Sequence, residues 1–208
     1  MVLFQDEFLL KNTTNQILKI YFDWIILYKE RDVFMNFKKI KNLVTAALFA
    51  SIICAATFVV KIPSPATNGY FNLGDCFVIL AGFLLGPVYG ALAAGIGSAL
   101  ADIIAGYVQY APATFVIKAV MALSVCLIIR LFKNKNNLLA KILSGITAEA
   151  IMVLGYFAYE AAILGYGLSA AGSIISNVLQ GLVGIVASTV IISAIGKSKT
   201  LTDFFRKG

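Results

Sequence analysis

Residues Leu84 to Tyr107 read LLGPVYGALAAGIGSALADIIAGY, and two features of this stretch govern the rest of the chain. Gly86 and Pro87 interrupt a run that is otherwise apolar enough to cross a bilayer. Proline removes a helical N–H and clashes with the preceding turn, so the pair predicts a tight hairpin between two helices. Gly82, Gly86 and Gly90 stand at spacing four, continued by Ala91 with Gly95 and Ala93 with Gly97. Such rows let helix backbones approach closely in lipid. The second feature is Asp102, a carboxylate among small and apolar residues, followed by Tyr107, Gln109 and Tyr110.

Outward from this stretch the chain keeps the same character. Of its 208 residues 60% are hydrophobic and 13% charged, and its mean hydropathy is +0.90, whereas a soluble domain carries roughly 25% charged residues. Apolar segments recur after residue 42, each near the ~20 residues that cross a ~30 Å hydrocarbon core as helix. Lipid offers backbone groups no partner, so helices are the spanning element, and no period-two alternation suggests a barrel.

The expected fold is an all-α membrane protein, a compact bundle of six transmembrane helices. They are predicted over about 43–60, 75–85, 88–106, 113–132, 138–164 and 173–195. Lys38, Lys39, Lys41, Arg130, Lys133, Lys135, Lys141, Lys197, Lys199, Arg206 and Lys207 flank one side, and only Lys61 the other. Cations mark cytoplasmic loops, so both termini are expected in the cytoplasm, with the loops near 61–74, 107–112 and 165–172 outside.

Residues 1–34 are read as an N-terminal extension to a membrane domain at 35–208. They contain ILKIYFDWIILY, Ile17 to Tyr28, too short and too charged at Lys19 and Asp23 to span. It suits a surface-lying amphipathic helix, and an equally good reading makes Met35 the working start.

Several functions are excluded. The chain has no histidine, and Cys54, Cys76 and Cys126 stand singly in apolar surroundings, so no metal site or disulfide framework is expected. No nucleic-acid partner and no cofactor are indicated. The chain lacks a serine–lysine dyad and a phosphate-binding glycine loop, which argues against an enzyme and against ATP use by this chain.

Ionisable groups inside a span cost ~2.5–3.5 kcal/mol at mid-helix on insertion scales and usually face a cavity or a partner. Counted at ~1.5 Å per residue, Asp102 and Lys118 lie at matching depth, about five residues below the outer ends of their helices. They could pair with each other, contact a ligand, or do both. Ser173, Asn177, Gln180 and Gly184 share one helical face, as do Glu149, Met152, Tyr156 and Glu160, and Gly95, Ser98, Asp102 and Gln109. Except for Glu149, which is deeper and apart and either structural or functional, the polar groups gather in the outer half. That pattern predicts a pocket opening outward above an apolar floor.

Asn72 and Asp75 stand where the first outer loop enters a helix. They would either cap that helix or hang over the pocket as part of a lid. Tyr70, Phe71, Tyr107 and Tyr110 suit either an interfacial belt or the packing of a flat heterocycle, against which Tyr156 would also pack. Ala46, Ala47 and Ala50 lie in small-residue rows on the first helix, for internal packing or for a partner helix.

FNLGD at Phe71 to Asp75, the Leu84 to Tyr107 stretch and YAPATFVIKAVMAL at Tyr110 to Leu123, in this order, resemble the S component of energy-coupling factor (ECF) vitamin transporters, especially the riboflavin-transporter-like branch. The likeness covers about residues 36–197. It implies a multi-pass protein of a prokaryotic plasma membrane that captures a vitamin or precursor outside the cell. Riboflavin-, pyridoxine- and hydroxymethylpyrimidine-like compounds are the ligand classes of that branch. It further implies partners, a membrane T component and two ATPases, with the first loop as a lid and Ala46, Ala47 and Ala50 meeting the T component.

On this reading Asn72, Asp75, Asp102, Tyr107, Tyr110, Lys118, Tyr156, Glu160, Asn177 and Gln180 are the candidate substrate-binding residues. The competing reading is a self-sufficient, proton-coupled carrier for a small polar solute, with Asp102, Lys118 and Glu149 as a relay. It fits less well, because polar groups thin out toward the cytoplasm and no inverted repeat of broken helices is visible.

Overall fold

The computed structural model describes Lys19 and residues 37–59, 62–63, 70–132 and 137–206. The chain divides into two compact units, Met1–Lys41 and Asn42–Gly208. The surface-helix reading of Ile17 to Tyr28 lies outside the described residues.

Among the described residues, five helices are long and apolar enough to cross a membrane: α1 (Phe37–Val59), α2 (Gly74–Ile104), α3 (Ala111–Leu131), α4 (Leu138–Ala158, carried on by a wide π-turn at Tyr159–Ile163) and α5 (Gly172–Lys197, preceded by a 3₁₀ turn at Gly167–Ala171). A short amphipathic helix, α6 (Lys199–Arg206), follows. Between α1 and α2, strands β1 (Ile62–Pro63) and β2 (Tyr70–Phe71) pair antiparallel, Ile62 opposite Phe71 and Pro63 opposite Tyr70.

The predicted break inside α2 is present. Gly86 has φ 79° and ψ −173°, a backbone region that a residue with a Cβ rarely enters, and Pro87 follows it. The second arm then folds back on the first. A Cβ on Gly90 would lie 2.7 Å from the Ala81 carbonyl oxygen and 3.2 Å from Gly82 Cα, an approach impossible along a straight helix rising ~1.5 Å per residue. α3 lies against both arms, since Cβ atoms on Gly82 and Gly95 would fall 2.3 Å from the Ala122 carbonyl oxygen and 2.8 Å from that of Phe115. α3 itself starts with Pro112 in its first turn, where the missing N–H is no loss.

Ile53, Val78, Ile79, Met121, Val125, Met152 and Ile192 form the centre of the buried core. Large apolar side chains also cover the outside, Leu131 at 82% exposure and Ile175 at 72% among them, as expected where lipid replaces water around the helices. α6 meets α1 through its aromatic face, with the Phe205 ring edge-on to Phe49 at 6.3 Å between centroids.

Candidate functional site

The polar residues of α2, α3, α4 and α5 collect in two adjoining groups. The first is built on Asp75, in the first turn of α2 and 1% exposed. Lys118 Nζ, on α3, donates to Asp75 Oδ1 in a buried ion pair. Gln180 Nε2, on α5, donates to the other carboxylate oxygen at 2.5 Å. The Gln180 amide oxygen in turn accepts the main-chain N–H of Asn72 at 2.7 Å. One carboxylate thus joins three helices to the end of the first loop, and both of its oxygens are satisfied, as a buried charge requires.

Two of the sequence-based alternatives are settled by these contacts. Lys118 meets Asp75 and not Asp102, although the depth count matched it to Asp102. Equal depth leaves open which way a side chain points around its helix, and α3 turns Lys118 toward the start of α2. Nor is Asp75 the cap of α2. The N-cap residue is Leu73, with no side-chain cap; the Asn72 side-chain oxygen accepts the Gly74 N–H at 2.8 Å in the turn that leads into the helix, and Asp75 is held in the ion pair.

The second group forms the rim. Glu160, 2% exposed in the π-turn, accepts the Tyr110 hydroxyl at 3.1 Å and the Ser173 hydroxyl at 2.5 Å. Tyr110 sits between spans. Burial first, then the negative charge of Glu160, hold its phenol well above the ordinary tyrosine range, so it stays a donor. Its ring neighbours are Tyr107 at 6.4 Å, Tyr156 at 6.5 Å and Tyr159 at 6.0 Å. The Tyr156 hydroxyl shares a hydrogen bond with Thr114 Oγ1 at 2.9 Å, and Tyr159 donates to the Gln109 carbonyl. Lys118 Nζ lies 5.5 Å from the Tyr156 ring centroid, which links the two groups through a cation–π contact.

Asp102 is buried on the second arm of α2. Its carbonyl accepts the Tyr107 N–H at 2.8 Å, and its carboxylate acts electrostatically on Tyr156. Asn177 is half-buried on α5, and no described hydrogen bond involves it. The side chains of Tyr70 and Phe71 lie outside the described residues.

Sequence reasoning passed over Thr114 and Tyr159 as contributors and set Glu149 apart, while Ser173, placed on the polar face of the last span, meets Glu160. The structure puts Glu149 beside Asp75, with one glycine of α5 between them: a Cβ on Gly184 would lie 2.7 Å from Glu149 Oε1 and 3.3 Å from Asp75 Cβ. No sequence signal distinguishes this from a distant carboxylate, because the contact depends on how α4 and α5 meet the first arm of α2. Among the described residues no cluster of three or more metal-type ligands occurs.

A separate groove of about 590 Å³ opens between α1 and the second arm of α2. Ala46, Ala47 and Ala50 line it on one side, and Leu92, Ile96 and Ile104 on the other. Ala46 is buried and Ala47 exposed, while the backbone of Ala50 supports Gly97, whose Cβ would lie 2.5 Å from the Ala50 carbonyl oxygen. The row therefore serves internal packing through Ala50 and leaves Ala47 on an open apolar surface.

A family model described as the ECF-type riboflavin transporter, S component, matches residues 37–197. The chain belongs to this family. It is a multi-pass membrane protein of a transporter family and not of an enzyme family, and S components work with a T component and ATPases in vitamin uptake. An uncharacterized protein of Pyrococcus woesei is 37% identical over 135 residues, 64% of this chain and 87% of that relative. Two solved structures share the fold. The S component of a bacterial ECF transporter superposes with a TM-score of 0.59 at 22% identity, covering 76% of this chain and 96% of that one. The S component for biotin gives 0.55 at 19% identity, covering 82% and 98%.

Proposed function

We propose that this S component captures a vitamin-like ring compound at the outer face of a prokaryotic plasma membrane. It then hands the compound to a T component driven by two ATPases. On this reading the two arms of α2 are separate spans, which makes six, and both termini lie in the cytoplasm, in keeping with the distribution of lysine and arginine.

The observation that carries the proposal is the Asp75–Lys118–Gln180 group. It lies directly under the point where the first loop enters the bundle, tied to that loop through Asn72. Next to it stands a rim of tyrosines around Glu160. Fixed donors and acceptors beside aromatic walls suit a small polar heterocycle of the riboflavin, pyridoxine or hydroxymethylpyrimidine kind. Asn72, Asp75, Asp102, Lys118, Glu160, Asn177 and Gln180 would bond its edge, and Tyr107, Tyr110 and Tyr156 would pack on its face. The groove at Ala46, Ala47 and Ala50 would receive an apolar helix of the T component, small residues being what allows close helix approach in lipid.

The test is thermal stabilisation of the purified chain by a panel of B-vitamins and pyrimidine precursors, with uptake measured in cells with and without the T component and ATPases. Stabilisation by one compound, together with uptake that depends on both partners, is expected. Uptake that persists without them would favour a proton-coupled carrier instead.

A further inference from the structure

With 8 residues α6 is far below the ~20 that cross a bilayer, and none of its residues belongs to the buried core. Its two sides differ in chemistry. Leu201, Phe204 and Phe205 stand at i, i+3 and i+4 and share one face, while Lys199, Asp203 and the position of Arg206 fall opposite. The direction in which α6 leaves α5 is fixed by hydrogen bonds. The Leu201 N–H donates to the Ser198 hydroxyl at 3.4 Å, and the Thr202 hydroxyl donates to the Ser198 carbonyl at 2.8 Å, with the Ile195 carbonyl 3.3 Å away. Carbonyls at the end of α5, which the helix itself leaves open, thereby gain a donor.

That direction points the apolar face into the bilayer. The Phe205 ring meets Phe49, which lies ~9 Å along α1 from Leu43, where the sequence places the start of the span, at ~1.5 Å per residue. Leu201 and Phe204, on the same face, are 43% and 45% exposed. Lys197 and Lys199 are exposed and form no ion pair among the described residues. From Lys197 to Lys207 the sequence carries four cations and one acid, Asp203. A helix of this layout sinks its apolar face ~5–10 Å into the headgroup boundary, where an anionic surface attracts each cation. A water-soluble partner could meet the lysines but not an apolar face at that depth. The groove proposed for the T component is elsewhere, since Ala47, two residues from Phe49, is on the other side of α1.

We infer that α6 is an in-plane membrane helix that binds anionic phospholipid, with Leu201 and Phe204 among the acyl chains and Lys197 and Lys199 at the phosphates. This goes beyond the capture role and is independent of the substrate.

The full-length protein is placed in nanodiscs of phosphatidylcholine, alone or mixed with phosphatidylglycerol, and amide hydrogen exchange is followed over Leu201 to Arg206. Exchange should be roughly tenfold slower with phosphatidylglycerol, the order expected for two cations at an anionic surface, and the difference should vanish at high salt. The double variant Lys197→Gln, Lys199→Gln should exchange alike in the two lipids. Leu201→Ser with Phe204→Ser should exchange fast in both. Both double variants should melt in detergent at the wild-type temperature, because the changed side chains are exposed.

Equal wild-type exchange in the two lipids overturns the inference. So does a lowered melting temperature of L201S/F204S, since the face would then be packed on the protein itself. Protection that arises only when the T component and ATPases are added overturns it too, because the occupant would then be a protein. Stabilisation by a vitamin should be the same in all three proteins, so failure of the lipid effect leaves the capture role standing.

Discussion

Lys118 on α3 and Asp75 in the first turn of α2 form an ion pair in which both side chains are nearly inaccessible, 3% and 1% exposed. Removing one member of such a pair leaves the other charge buried and alone, at about 3–5 kcal/mol. Lys118→Met and Asp75→Asn are each expected to lower the melting temperature strongly. The double variant should recover much of the loss, because no isolated charge remains. Thermal unfolding of the four proteins in detergent checks this, and a double variant no better than the worse single one would contradict it.

Tyr110→Phe deletes the hydroxyl that Glu160 accepts at 3.1 Å. A hydrogen bond to a charged acceptor is worth about 1.5–3 kcal/mol, so a loss of that order is expected, together with weaker ligand binding at the rim. The phenol also links stability to pH. Its pKa in the folded protein lies above the ordinary 10.0, so its contribution is complete below pH 10.0 and declines as the unfolded chain ionises above it. Ultraviolet titration should show the same tyrosinate absorbance in wild type and Y110F up to about pH 10, the unperturbed tyrosine pKa.

Gly86→Ala meets no atom within 4 Å of the added Cβ, and the backbone there has φ 79°. Its cost is therefore conformational, of order 1–3 kcal/mol for a strained backbone position. Gly82→Ala, where the Cβ would fall 2.3 Å from the Ala122 carbonyl oxygen, must move α3 and should be the worse variant. Yield and melting temperature of the two, measured side by side, rank them.

Ala47→Trp fills the exposed apolar groove without touching the polar groups. Ligand-induced stabilisation should stay at the wild-type value, while co-purification with a co-expressed T component is lost. Retained assembly would mean that the T component docks elsewhere.

Asn177→Ala breaks no described hydrogen bond, so the ligand-free melting temperature should move by no more than about 0.5 kcal/mol equivalent, as for sites away from packed features. A fall in ligand affinity at unchanged stability would then report a direct contact.

The spans of this protein were legible in its residues because each depends on local chemistry. An apolar run in lipid must satisfy its own backbone, and Gly86 with Pro87 breaks the helix wherever it is packed. That Lys118, Glu160 and Gln180 lie near one end of the bundle could likewise be anticipated from depth counted along each helix, and that Asn72 and Asp75 lie there from their place where the first loop enters a helix. Depth is one coordinate, however, and contact needs the rotation of each helix as well. That rotation comes from close packing between helices, at Gly82 and Gly95 against α3 and at Gly181 and Gly184 against Glu149. It is why Lys118 finds Asp75, where the depth count matched it to Asp102, and why Glu149 stands inside the polar group and not apart from it.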